Sequence, residues 1–289
     1  MTAIAVPAPG QVLTRVVGVI RAIGRAAASA PSLAAAWVVV ALVLAWAVVP
    51  SWFTSHDPLE GDTDQSFLAP SLAHPFGTDR LGRDLLARAI HGTATTVSAT
   101  LLAVAVGFVL GALIGLLSGF AGGRIDSIIM RFVDILLAVP GLLLAMTVVT
   151  ALGYGTLNIA LAVGIAAVAA FARVMRSAVL KVTEADYVEA AYGSGAGFGR
   201  VVFRHVLPNS LAPVLSLAAL ECGSAVLSVA ALGFLGYGAP PPEPEWGLAV
   251  AEGRDYLATY PWISIMPGLL IAVVVLSTNR IGRSLGDKS

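Results

Sequence analysis

Long apolar runs set the pattern of this chain, and polar residues fall in blocks between them rather than in alternation. A membrane-crossing helix needs about 20 mostly apolar residues. Six stretches meet that length or approach it: 33–52, 97–121, 128–152, 157–172, 211–236 and 262–279. The fourth is short and is expected to borrow residues at its C-terminal end. The first is followed by Pro50-Ser51-Trp52-Phe53 rather than by a small-residue cleavage site, so it reads as a retained span. Closed barrels need short alternating strands, which the pattern lacks. The expected fold class is therefore an all-α polytopic membrane protein with six transmembrane helices.

Composition sharpens this. Hydrophobic residues make up 57% and charged residues 12% of the 289 positions, against about 25% charged in an ordinary soluble domain. Such apolar content excludes a disordered chain, and one cysteine, Cys222, excludes a disulfide scaffold. A net charge of zero with no basic block argues against nucleic acid as a partner. The basic residues are unevenly placed. With the N-terminus inside, thirteen of the 17 Lys and Arg fall on cytoplasmic segments and only Arg80, Arg83, Arg88 and Arg254 fall outside. Both termini are then cytoplasmic. Residues 1–32 form a cytoplasmic lead, in which Leu13, Val16, Val17, Ile20 and Ile23 recur at helical spacing opposite Arg21 and Arg25. That predicts a basic amphipathic helix on the inner leaflet over 11–30. The remainder, 33–289, is one six-helix membrane domain with outside loops at 53–92 and 237–261 and an inside loop at 173–210.

Several residues inside spans carry information. Gly107, Gly111, Gly115 and Gly119 lie four apart and form a stripe where another helix can approach closely, within the chain or between chains. Pro140 and Pro267 are expected to kink the third and sixth spans. Two carboxylates lie in spans. Asp134 is one turn from Arg131, so a local ion pair is expected there. Glu221 has no basic residue within two turns, and an intramembrane acid points to an aqueous pathway or a group on another chain. A bland alternative is a neutral acid bonded to Ser224 or Ser228.

The inside loop reads as two helices, 183–192 and 198–207, separated by a glycine-rich turn and ended by Pro208. A helical pair projecting from a bundle is a docking element. Its residues Glu189, Ala190, Ala191, Gly195, Leu207 and Pro208 fit the spacing of the EAA loop of ABC importer permeases, and His205 before Val206-Leu207-Pro208 resembles the peptide and nickel branch. The outside segment His74-Pro75-Phe76-Gly77-Thr78-Asp79-Arg80-Leu81-Gly82-Arg83-Asp84 resembles the C-type permease subunit of dipeptide and oligopeptide importers, as does Pro241-Pro242-Glu243-Pro244-Glu245-Trp246-Gly247. One departure concerns the fifth span, where Val229 stands at a position that often holds Glu in that family.

The resemblance implies a type I ABC importer permease fold in a prokaryotic cell membrane. It implies a second homologous permease subunit, two ATPase subunits and an extracytoplasmic substrate-binding protein as partners. ATP and Mg are then bound by the ATPase subunits, with no cofactor on this chain. It further implies that Glu189, Ala190, Ala191, Gly195, His205, Leu207 and Pro208 couple to the ATPases. Glu221 becomes a pathway candidate, and Gly77, Thr78, Asp79, Gly82, Arg83 and Asp84 belong to an outer lid-like loop. A nickel permease is an alternative within the family, and a secondary transporter is the alternative if no ATPase partner exists. No catalytic residue is expected: the chain has no phosphate-binding Gly-x-x-x-x-Gly-Lys run, and His56, His74, His91 and His205 are scattered, so no metal site is expected either.

Overall fold

A computed structural model describes residues 30–286; the amphipathic helix expected over 11–30 lies outside them but for its last residue. Among the described residues nine α-helices follow in order: α1 Pro31–Val48, α2 Leu85–Ala121, α3 Gly123–Ala138, α4 Gly141–Leu152, α5 Thr156–Thr183, α6 Asp186–Gly193, α7 Phe198–Phe234, α8 Trp246–Gly253 and α9 Trp262–Gly286. Five of them, α1, α2, α5, α7 and α9, are each long and apolar enough to cross a membrane. The pair α3 and α4 passes the same test together but is bent by 97°.

That bend exceeds the kink expected at Pro140. Pro140 lacks an N–H, and the clash of its ring with the preceding residue holds Val139 extended at φ −89, ψ 130. The Pro140 carbonyl then accepts from Leu144 N–H and opens α4 on a new axis. Pro267, by contrast, stays within a continuous α9.

Contacts at helix ends fix the path. Gly119 of α2 lies on Val179 of α5, and Arg88 at the other end of α2 pairs with Glu252 of α8. Gly155, after α4, donates its N–H to the carbonyl of Tyr237, just past α7, and Tyr154 stacks on Tyr237. The bent pair therefore carries the chain from the end holding 121–123 to the end holding 237. Arg280 of α9 bonds Ser32 of α1. With six passages, Ala30 and Gly286 come to the same end of the bundle as α6.

The glycine stripe finds its partner within the chain. A Cβ at Gly111, Gly115 or Gly119 would overlap α5 atoms, among them the Val168 and Ala172 carbonyls, Phe171, Met175 and Val179, and one at Gly107 would crowd the Gly164 carbonyl. Backbone-to-backbone approach buries α2 against α5, and Phe171, Met175, Val179, Val188, Val201, Val206 and Val214 continue the core into the loop end. Asp134 does not pair with Arg131. Its partner is Arg173, on the α5 face that α3 packs against, while Arg131 is exposed.

Candidate functional site: coupling segment, inner cavity and outer loop

The segment 184–207 is built differently from the two-helix expectation. Glu184 caps the end of α5, so the first helix begins at Asp186, and Asp186 and Glu189 stand in its first turn. The second helix is not separate. Phe198–Val201 runs through one wide turn, Val202–Val206, into Leu207, whose N–H reaches Val202 O. That i→i+5 turn shifts the ladder where Pro208 has no N–H to give, so Pro208 begins the next helical turn instead of ending the helix. Gly195 has φ +84 and open space around it, so the turn there needs a left-handed residue rather than room.

Packing fixes which face of this segment is free. Val188, Val201 and Val206 are buried together, and Phe198 meets Phe120 edge-on at 5.4 Å. Glu189 and Ala190 are exposed, Ala191, His205 and Leu207 are partly covered, and Pro208 is exposed. Tyr187, Ala191, Arg200, Arg204 and His205 surround a pocket of about 540 Å³ on this surface. The sequence reading missed Arg200 and Arg204 as part of it, though their spacing of four puts them on one helical face.

Glu221 opens into a cavity of about 250 Å³. It shares the wall with Ser224 and Ser228 one and two turns on, and the opposite walls are small and apolar: Ala103, Ala145, Ala166 and Ala170. Neither serine bonds Glu221, and the carboxylate has no ion pair among the described residues. Val229 is 1% exposed within a cluster with Ile159 and Leu232 and does not line this cavity.

The outer loop is held by a buried charge network. Asp79 accepts from Arg83 Nε at 2.6 Å and from the N–H groups of Leu81 and Arg83. Arg83 and Arg88 both reach Glu252, at 3.5 and 2.9 Å. Of the four neighbouring charges here, Asp79 and Arg83 pair with each other, Asp84 pairs with His74, and Arg80 is exposed. Gly77 and Gly82 have φ +79 and +73. Gly82 lies against the Asp62 backbone and Gly77 against Trp262, so both positions also forbid a side chain by contact. Thr78 is fully buried; its hydroxyl donates to Gln65 O at 2.5 Å and accepts from Leu68 N–H. Phe67 stacks on Tyr260 at 4.2 Å, which seats the loop on the α8–α9 connection.

The sequence pattern alone assigns no role to Glu245 and Trp246. Glu245 caps α8, its carboxylate accepting from Gly247 and Leu248 N–H and from the Thr96 hydroxyl, while Trp246 donates its indole N–H to Ala89 O at 2.9 Å. Burial pushes the Glu245 carboxyl up, and the three donors oppose it. The pair docks α8 onto α2. His56 and His74, scattered in sequence, come together beside Asp84.

Known proteins resemble this chain in sequence and in fold. Residues 107–288 match the family described as binding-protein-dependent transport system inner membrane component. The chain is 42% identical over 252 residues to a di/tripeptide transport system permease protein of Pseudomonas aeruginosa, covering 85% of this chain and 83% of that one. It is 40% identical over 250 residues to a probable D,D-dipeptide transport system permease protein of Escherichia coli, covering 86% and 84%. Among solved structures, the MetNI methionine ABC transporter in an inward-facing conformation aligns at TM-score 0.54 with 20% identity, over 70% of this chain and 96% of the other. An amino acid ABC transporter aligns at the same TM-score with 16% identity, over 71% and 95%. The fold is thus that of type I ABC importer permeases. This chain belongs to the family of binding-protein-dependent transport system inner membrane components.

Proposed function

We propose that this chain is the membrane-spanning subunit of an ABC importer for di- and oligopeptides, forming half of the translocation pathway in a prokaryotic cell membrane. The observation that carries the reading is the coupling segment: α6 and the start of α7 are packed together by Val188, Val201 and Val206 yet leave Glu189, Ala190 and Pro208 facing out. An exposed face on a rigidly packed helical pair is what a partner subunit needs in order to move the bundle. The peptide substrate is supported by the names of the relatives, which transport dipeptides and tripeptides.

In this reading the chain pairs with a second, homologous permease subunit, and both termini are cytoplasmic. Two ATPase subunits bind ATP and Mg and seat on the 186–208 surface. An extracytoplasmic binding protein delivers the peptide to the outer loop 53–92. Glu221 faces the pathway, where its carboxylate and the hydroxyls of Ser224 and Ser228 offer acceptors to a passing peptide ammonium or amide N–H groups. The chain itself supplies no catalytic group. The test is reconstitution with the ATPase subunits, the second permease and the binding protein in lipid vesicles. Glu189→Lys is expected to leave the chain in the membrane and abolish substrate-stimulated ATP hydrolysis and uptake; normal coupled uptake in that variant rejects the reading.

A further inference from the structure

We propose that His56, His74 and Asp84 form a binding site for one divalent transition-metal ion of the zinc type, on the outer loop and distinct from the cavity that Glu221 lines. One ligand atom from each residue lies within 4.8 Å of the other two. In a tetrahedral site with metal–ligand bonds of about 2.0–2.2 Å, ligand atoms stand roughly 3.3 Å apart. His56 is exposed, so closing the remaining gap requires only its side chain and short loop to move.

The hydrogen bonds around His74 say where the ion goes. Gln65 Nε2 donates to the Asp62 carboxylate at 2.8 Å. A carboxylate only accepts, which fixes the Gln65 amide with Oε1 toward His74. Gln65 Oε1 is 3.1 Å from His74 Nε2, so that nitrogen carries a proton. The other nitrogen, Nδ1, then faces Asp84 Oδ2 at 2.8 Å. A ring lone pair and a carboxylate oxygen at that distance require a cation between them, a proton or a metal ion. A metal-bound histidine commonly gives its second N–H to a carbonyl or carboxylate, which is the role Gln65 takes.

The surroundings suit a cation. A pocket of about 370 Å³ is lined by His56, His74 and the carboxylates of Asp57, Glu60, Asp62 and Asp84, and no lysine or arginine lines it. Two imidazoles with a carboxylate favour a borderline ion over calcium or magnesium, which prefer all-oxygen sets. The fourth position opens to the pocket, for water or one of the neighbouring carboxylates. Asp84 also caps α2 through Ala87 N–H at 2.6 Å. A bound ion would therefore tie the 54–60 stretch to the start of a membrane-crossing helix.

The experiment uses the intact transporter carrying a histidine-free tag, in lipid nanodiscs without nucleotide. Calorimetric titration with Zn²⁺ is expected to show one saturable site per copy of this chain, and Co²⁺ to give the visible absorption of a four-coordinate N/O site. His56→Ala and His74→Ala are each expected to weaken binding at least about tenfold, and Gln65→Leu by about tenfold through loss of the outer hydrogen bond. Cys222→Ser leaves it unchanged. Absence of saturable Zn²⁺ binding overturns the proposal. So does wild-type affinity in His56→Ala, a variant of an exposed residue that keeps the fold whatever happens to His74→Ala. Binding is read directly, so failure of the transport reading leaves this result standing, and the reverse holds too.

Discussion

Arg88 Nη2 donates to Glu252 Oε2 across 2.9 Å, joining residues 164 apart in sequence. Arg88 is 2% exposed, and the same guanidinium also donates to the Pro58 and Pro242 carbonyls. Three segments of the outer end, 53–84, 237–245 and α8, thus meet on one side chain. Truncating one partner of a buried pair leaves the other charged and unmatched. Glu252→Ala is expected to cost about 3 kcal/mol, the low end for such breaks because Glu252 is partly exposed. Glu252→Gln, which keeps an acceptor, should cost less. Thermal unfolding of the purified protein in detergent decides it; equal midpoints for wild type and Glu252→Ala would show the network to be dispensable.

The stripe on α2 gives a sharper contrast. Gly115→Val places atoms on the Ala172 carbonyl and Met175, and overpacking of this kind costs about 1–3 kcal/mol or more. Gly141→Ala, at a position with open space and ordinary φ, should be neutral. Comparable yield and unfolding temperature for both variants would contradict the close α2–α5 contact.

At Gly195 the expected penalty comes from the backbone alone. Its φ of +84 costs a residue with a side chain roughly 1–2 kcal/mol, while nothing crowds the site. Gly195→Val should therefore uncouple ATP hydrolysis from uptake, and Gly195→Asn, whose side chain tolerates left-handed backbone, should retain much of the coupling. If both variants couple equally, the turn geometry is not what the partner reads.

Glu221 is tested by access. A cysteine placed at 221 in a Cys222→Ser background should react with a small water-soluble thiol reagent in the assembled transporter, and added substrate should slow the reaction. Glu221→Gln is expected to reduce uptake without changing yield. No reaction at 221 in any nucleotide state would remove it from the pathway.

Much of the architecture was legible in the sequence because apolar runs of membrane length report burial in lipid directly. Boundaries were less so. The second span was expected from residue 97, yet α2 begins at Leu85. The three extra turns hold Arg88, Thr93 and Thr96, which hydropathy scores as polar but which are satisfied internally: Thr93 bonds the Ala89 carbonyl and Thr96 bonds Glu245. The 97° break at Pro140 was underestimated because a proline's effect depends on whether neighbours hold the two halves in line. The outer loop motif was visible as a pattern, but its pairings, Asp84 with His74 and Arg88 with Glu252, span separations that no local spacing rule reports.

The wide turn at Val202–Val206 has a mechanical consequence. Phe198 and Glu221 sit on one continuous 37-residue helix, 23 residues apart, so a partner pushing on the proposed docking face would act about 35 Å from the cavity wall. The stroke is not lost in a flexible connector. The wide turn and Pro213, which has no N–H to give, are two places along that helix where the regular backbone ladder is relaxed, and both lie between Phe198 and the carboxylate.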